Sequence, residues 1–114
     1  MSFRFQQSFA VPSAFLIVVL AMQAAFSAED KERLDRGLAI VTKNCSSCHA
    51  VDRRSASLQK EAPAFRTLGR KYPVEALEEA LGEGIISGHP DMPEFAFEGP
   101  DVGAIIAYLK SIQE

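Results

Sequence analysis

The sequence has no tryptophan, and only two cysteines and two histidines occur among its 114 residues. It also has no internal repeat, no low-complexity tract, and no stretch that alternates apolar and polar residues as a β-strand does. These absences argue against a sheet-containing protein and against a metal site that needs several cysteine and histidine ligands. The length suits one small domain, which often needs a bound group or a cross-link to support its small core.

Charge is nearly missing from the first 28 residues, where one arginine is the only ionised side chain. Residues 14–22 form an unbroken apolar run, and small residues follow it before an acidic segment begins. This layout is typical of a secretory signal, so we predict a signal peptide over residues 1–27 and a functional domain over residues 28–114. An uncleaved membrane anchor is the alternative, because the charge-free stretch is long enough to cross a bilayer. In both cases we expect the domain to be periplasmic.

Both cysteines lie in one short motif, Cys45-Ser46-Ser47-Cys48-His49. Two thiols three positions apart, followed directly by an imidazole, are the attachment pattern of a c-type haem. In such a site the thiols form thioethers with the haem, and the histidine binds the iron as its proximal ligand. We therefore predict that Cys45 and Cys48 hold one haem c covalently and that His49 binds its iron.

The sixth position of the iron has two candidate ligands in the predicted domain, its single methionine, Met92, and its second histidine, His89. A methionine more often fills space in a core. Met92, however, lies between Pro90 and Pro93, whose rings restrict the backbone and suit a loop that holds one side chain in place. We predict Met92 as the distal ligand and keep His89 as the alternative.

The segment before the motif has the periodicity of an amphipathic helix, from Asp30 to Asn44. Asp30 is the predicted N-cap, and the last turn leads directly into Cys45. Gly37 lies on the apolar face, where it would let another helix cross closely. Residues 50–62 and 85–99 lack any clear period and are predicted to be loops.

Two further helices are predicted. The first begins at Pro73, since proline suits the first turn of a helix, and is stopped by Gly82 and Gly84. The second begins at Pro100 or Asp101. Its apolar residues recur at helical spacing, which predicts one buried face: Val102, Ile105, Ile106, Leu109 and Ile112.

These features resemble the class I c-type cytochromes, a family of small monohaem proteins, over essentially all of residues 30–113. The likeness rests on the cysteine motif near the start, on Met92-Pro93 near the end and on the flanking helices. The resemblance implies an all-α fold of three to four helices wrapped around one covalently attached haem. It also implies that the N- and C-terminal helices cross.

Particular contacts are implied by the same resemblance. Gly37 would pack against Ile105 and Tyr108 of the last helix. The carbonyl of Pro63 would accept a hydrogen bond from His49, next to the haem. The absence of tryptophan removes one contact that many relatives make to a haem propionate.

Electron transfer is the function that the resemblance implies. With His49 and Met92 both on the iron, no position remains for oxygen or a substrate, so we predict an electron carrier and not an enzyme. The alternative is a haem enzyme or small-ligand binder, similar to a peroxidase, in which Met92 leaves the iron. A thiol oxidoreductase or a zinc site would also use the cysteines, but the sequence offers neither a βαβ context nor paired zinc ligands.

The expected partners are redox proteins, such as a quinol-oxidising complex, a periplasmic dehydrogenase or a terminal oxidase. We expect no nucleic acid, and a membrane only if the N-terminal segment stays uncleaved. Charge is distributed unevenly, because residues 43–71 carry a net charge of +5 and residues 75–114 a net charge of −8. One hypothesis is that cations of the first segment steer an acidic partner: Lys43, Arg53, Arg54, Arg70 and Lys71. The alternative is that they are simply solvated.

Overall fold

The structure is a computed structural model that describes residues 13–84 and 88–114. The basic start of the predicted signal peptide and the first three residues of the predicted loop 85–99 lie outside these ranges. The chain divides into two units, Met1–Asp30 and Lys31–Glu114. Among the described residues, no helix has both the length and the apolar content that crossing a membrane requires.

Three α-helices and two short 3₁₀ helices, η1 and η2, make up the regular structure of the described residues, which form no strand. In chain order they are α1 (Ser13–Cys45), η1 (Phe65–Arg70), η2 (Val74–Ala76), α2 (Leu77–Glu83) and α3 (Gly99–Ser111). The predicted all-α class is confirmed.

The start of α1 differs from the prediction. Asp30 is not an N-cap, because the helix already begins at Ser13 and continues without a break to Cys45. The sequence between residues 13 and 36 contains neither glycine nor proline, and it is rich in alanine, leucine and glutamate, which favour helix. The end of the helix is as predicted, within one residue of the cysteine motif.

The second predicted helix is shorter than expected. Pro73 precedes a 3₁₀ turn, and regular α-helix begins only at Leu77. Gly84 ends α2 with its φ angle at 112°, and its N–H donates to the carbonyl of Ala80 at 3.0 Å. Glycine adopts this positive φ without steric cost, so the predicted stop at Gly84 is correct. Gly82 lies inside α2 and does not end it.

Helix α3 lies at the centre of the core of Lys31–Glu114. Its predicted face is buried over its whole length, as Val102, Ile105, Ile106, Leu109 and Ile112. From the remaining elements, the core receives Val41, Val51, Leu68, Val74 and Leu81.

Helix α1 crosses α3 at Gly37, as predicted. A Cβ atom at this position would overlap the carbonyl of Ala104 and lie 2.7 Å from Cβ of Tyr108. Only glycine therefore lets the two backbones approach this closely. Tyr108 is the partner that the resemblance implied, while Ala104 takes the place expected for Ile105, whose side chain is buried in the core.

Two further contacts fix the crossing. Val41, one turn after Gly37, is only 1% exposed and is part of the core. Arg36 Nε donates to Asp101 Oδ1 at 2.7 Å, which joins α1 to the first turn of α3. The last turn of α1, with Cys45, is therefore held in a defined position against α3.

Candidate haem site

The end of α1 turns directly into the cysteine motif. The N–H groups of Cys48 and His49 both donate to the carbonyl of Cys45, at 3.2 and 2.9 Å, so the three residues lie in one tight turn. Both thiols are free and partly buried, and Cys45 packs against the core. Burial raises the pKa of the Cys45 thiol to about 11. Since thiol–disulfide catalysis depends on a lowered thiol pKa, this observation argues against an oxidoreductase site.

His49 is held by two contacts. Its Nδ1 lies 2.8 Å from the carbonyl oxygen of Pro63, as the resemblance implied. A carbonyl oxygen can only accept, so Nδ1 carries the proton and donates it. The imidazole ring also lies 4.8 Å from the ring of Phe65, at an interplanar angle of 36°. In the neutral ring the lone pair of Nε2 is then available to a metal, and the ring orientation is fixed.

The loop that follows His49 is ordered by backbone hydrogen bonds. Gln59 N–H donates to the carbonyl of Cys48 at 3.1 Å, and Phe65 N–H donates to the carbonyl of Ala50 at 2.9 Å. Ala50 N–H in turn donates to the hydroxyl of Ser57 at 3.0 Å. These bonds connect residues on both sides of His49 to the far end of the loop, so the backbone that carries the imidazole is held in place. The sequence contains no signal for this bracing.

Two anchors follow in the same loop. The Tyr108 hydroxyl donates to the carbonyl of Val51 at 2.8 Å, which ties the loop to α3, and burial raises the pKa of Tyr108. The Asp52 carboxylate accepts hydrogen bonds from the Ser55 hydroxyl and from the N–H groups of Ser55 and Arg54. These bonds, the hydroxyl bond first, lower the pKa of Asp52 to about 2.

Met92 lies on the loop between α2 and α3, in a different part of the fold from the motif. Its N–H donates to the carbonyl of His89 at 3.1 Å, which forms a turn through the intervening proline. The loop is tied to α2 where Phe97 N–H donates to the carbonyl of Leu81 at 2.8 Å. The side chain of Met92 is half-buried, whereas that of His89 is exposed.

The residues present fit a covalently attached haem. Two thiols in one turn could form two thioethers with a haem, and Nε2 of the adjacent imidazole could bind its iron. Partly buried apolar side chains, among them Phe65, Leu77 and Phe97, pack against the core and can contact a large flat apolar group. Within the described ranges, no group of three or more His, Cys, Asp and Glu side chains could hold a metal ion.

A family model described as cytochrome c oxidase, cbb3-type, subunit III, matches residues 32–109. The chain belongs to this family of c-type cytochrome domains. It is also 26% identical over 98 residues to cytochrome c-552 of Bradyrhizobium diazoefficiens, an alignment that covers 86% of this chain and 92% of that protein. No solved structure matches the chain.

Membership of this family confirms the predicted cofactor and class. The protein is a c-type cytochrome with covalently bound haem c and its iron, and it is a haem-based electron carrier. The all-α architecture, with the first and last helices of the domain crossing at Gly37, agrees with this assignment.

Proposed function

We propose that the protein carries electrons in the periplasm, with its haem attached to Cys45 and Cys48 and its iron bound by His49 and Met92. The observation that supports this most directly is the 2.8 Å distance between Nδ1 of His49 and the carbonyl oxygen of Pro63. This hydrogen bond fixes the tautomer that leaves Nε2 for the iron, and it raises the basicity of the imidazole.

Met92 is favoured over His89 by burial. A ligand that closes the sixth position should be shielded from water, and Met92 is half-buried while His89 is exposed. The thioether of a methionine raises the reduction potential compared with a second nitrogen ligand. With both axial positions filled by His49 and Met92, the iron would supply one-electron chemistry and leave no position for a substrate, which suits a carrier.

Covalent attachment is tested by haem staining after denaturing electrophoresis. The wild-type chain, expressed with its leader in a periplasm that attaches haem, should keep a stained band. Replacing both thiols, as Cys45→Ala with Cys48→Ala, should abolish the stain, and Ser47→Ala is the matched control inside the motif. An unstained wild-type band would contradict the proposal.

Axial ligation is tested by the spectrum of the oxidised protein. A methionine–iron charge-transfer band in the far red should be present, and cyanide should bind slowly because Met92 occupies the sixth position. A missing band together with rapid binding of cyanide or peroxide would instead support the haem enzyme or small-ligand binder.

The proposed partners are redox proteins, and the family's description favours a terminal oxidase as electron acceptor. The structure divides the five cations of the steering hypothesis. Arg70 pairs with Glu114, and Arg53 donates to the carbonyl of Ser111. Of these five cations, only Arg70 has an ion pair within the described ranges, so Lys43, Arg53, Arg54 and Lys71 keep an uncompensated charge.

Steering by charge is tested with stopped-flow electron transfer to an isolated terminal oxidase. Lys43→Glu should slow the reaction and weaken its dependence on ionic strength, since an unpaired cation contributes to the long-range field. Lys31→Glu makes the same change in net charge about four turns of α1 before Cys45, so it is the comparison and should have a smaller effect. Rates that ignore ionic strength would eliminate the steering hypothesis.

A further inference from the structure

Gln113, which follows α3, uses every hydrogen-bonding group of its side-chain amide. Oε1 accepts from the N–H of Gly69 at 2.7 Å. Nε2 donates to the carbonyls of Phe65 and Leu109, at 2.9 and 2.6 Å. An amide offers one acceptor oxygen and two donor hydrogens, so these partners also determine which way it points.

The bonded groups lie at both ends of η1. The carbonyl of Phe65 is at its first residue and the N–H of Gly69 is near its last, so one side chain spans the whole 3₁₀ helix. Gly69 leaves room for this contact, since a Cβ atom there would lie 3.0 Å from Oε1 of Gln113. The N–H of Glu114 adds a bond to the carbonyl of Arg66 at 3.1 Å.

The imidazole of His49 contacts the first residue of η1 and a residue just before it. The ring of Phe65 lies 4.8 Å from the imidazole, and the carbonyl of Pro63 accepts its Nδ1 proton. Phe65 therefore belongs to two contacts at once, because its carbonyl is held by Gln113 and its side chain lies against His49.

We propose that Gln113 is a positioning residue for His49. Its amide clamps η1 to the end of α3 and thereby holds the Pro63 carbonyl and the Phe65 ring against the imidazole. The inference rests on the proposed role of His49 as the iron ligand. An apolar side chain could fill the same space, but it could not fix η1 at two points.

Three variants separate the effect of the Gln113 hydrogen bonds from the effect of net charge. Gln113→Met removes all three hydrogen bonds at similar volume and unchanged charge. Gln113→Glu places an oxygen opposite the carbonyls of Phe65 and Leu109 and lowers the net charge by one. Lys110→Gln, on the last turn of α3, lowers the net charge by the same amount but breaks an exposed ion pair with Glu75.

The measurements are the reduction potential of the haem-loaded protein and the exchange rate of the His49 Nδ1 proton by NMR. A loosened Pro63 contact makes the imidazole a poorer donor to ferric iron, so the potential should rise in Gln113→Met. Exchange of the Nδ1 proton should become about tenfold faster, because the free energy that protects it falls by roughly that of one hydrogen bond. Lys110→Gln should lower the potential slightly, because a lost cation favours ferric iron, and should leave the exchange rate unchanged.

Two results would overturn the inference. One is a Gln113→Met protein with the wild-type potential and exchange rate. If that variant does not fold, Gly69→Ala crowds Oε1 while keeping the amide, and unchanged values there have the same meaning. A wild-type protein without hyperfine-shifted imidazole signals would show that His49 is not the ligand, which overturns the proposed function and the inference with it.

Discussion

The segment that carries His49 and the segment that carries Met92 are held by contacts of different reach. Residues 45–70 are bonded to Tyr108 of α3 and to Gln113, which follows α3, both more than 40 positions along the chain. Residues 88–98 contain the local turn at Met92, and among the described residues Phe97 bonds to α2 only 16 positions back. The proximal segment, residues 45–70, is thus built into the helix crossing, while the distal segment, residues 88–98, is held by its own turn and by the bond of Phe97 to α2.

This difference indicates that the proximal segment affects the stability of the fold more, and the distal segment affects the iron more. Changes near the helix crossing should reduce the stability of the whole domain, because the proximal segment and the core share the same contacts. Changes in the loop around Met92 should alter the iron more than the fold.

The largest effect is expected at Gly37, where α1 and α3 cross. Gly37→Ala would place a methyl group against the backbone carbonyl of Ala104 and against Cβ of Tyr108, an atom whose position the backbone fixes. Separating the helices should lower the free energy of unfolding by about 3 kcal/mol. Urea unfolding followed by circular dichroism measures this.

Gly103→Ala is the matched control, since a Cβ atom at Gly103 would meet nothing within 4 Å. Gly103 lies within α3, so alanine there should be neutral or should stabilise the protein by up to about 1 kcal/mol. If the two variants had equal stability, the crossing would not be as close as described.

Met92→Ala should change the iron centre and leave the helical fold intact. The far-red band should vanish, and the potential should fall by at least about 59 mV, which is a tenfold change in the ratio of ferrous to ferric protein. Because Met92 is only half-buried, the free energy of unfolding should fall by about 1–2 kcal/mol, less than for Gly37→Ala.

His89→Ala, three residues earlier in the same turn, is the comparison for Met92. If Met92 is the ligand, this variant should keep the far-red band and the potential. If His89 were the ligand, the wild type would lack the methionine–iron band, and the potential would change in His89→Ala and stay the same in Met92→Ala.

Tyr108→Phe removes one hydrogen bond between α3 and the proximal segment while keeping Cβ of residue 108 against Gly37. The Val51 carbonyl loses its buried donor, so the free energy of unfolding should fall by about 1 kcal/mol. Tyr72→Phe changes the other tyrosine, whose side chain is 37% exposed, and should cost less than about 0.5 kcal/mol. If the two variants lost the same free energy of unfolding, the Tyr108 hydrogen bond would not stabilise the proximal segment.

The sequence alone predicts the parts of this fold that depend on local pattern. The buried face of α3 follows from a spacing of three and four residues, and the stop at Gly84 follows from the freedom of glycine. The cysteine motif predicts the haem because its chemistry needs those residue types at that spacing. The hydrogen bond from His49 to Pro63 was accessible only through the family resemblance.

Other features depend on contacts between distant residues. Nothing local to Gln113 indicates that its amide meets Phe65 and Gly69, more than 40 positions earlier. The early start of α1 was missed for a different reason. Asp30 could cap a helix that starts there, but the residues before it also favour helix, so the helix runs through Asp30.

The smallest effect is expected from Asp52, at the surface of the proximal segment. Its carboxylate accepts hydrogen bonds from Ser55 and Arg54, which lower its pKa to about 2, whereas an unfolded aspartate titrates near 3.9. The unfolded chain therefore binds the proton first. The stabilisation is complete above about pH 4 and is lost as the pH falls towards about 2.

Asp52→Asn keeps an oxygen that can accept the two backbone N–H bonds but cannot titrate. The stability difference between wild type and this variant, measured by urea unfolding between about pH 6 and pH 2, should shrink as the pH falls. Ser55→Ala removes the bond that lowers the pKa most, so it should move the loss of stability to higher pH. A difference that stays constant with pH would mean that Asp52 braces the proximal segment through shape alone and not through its charge.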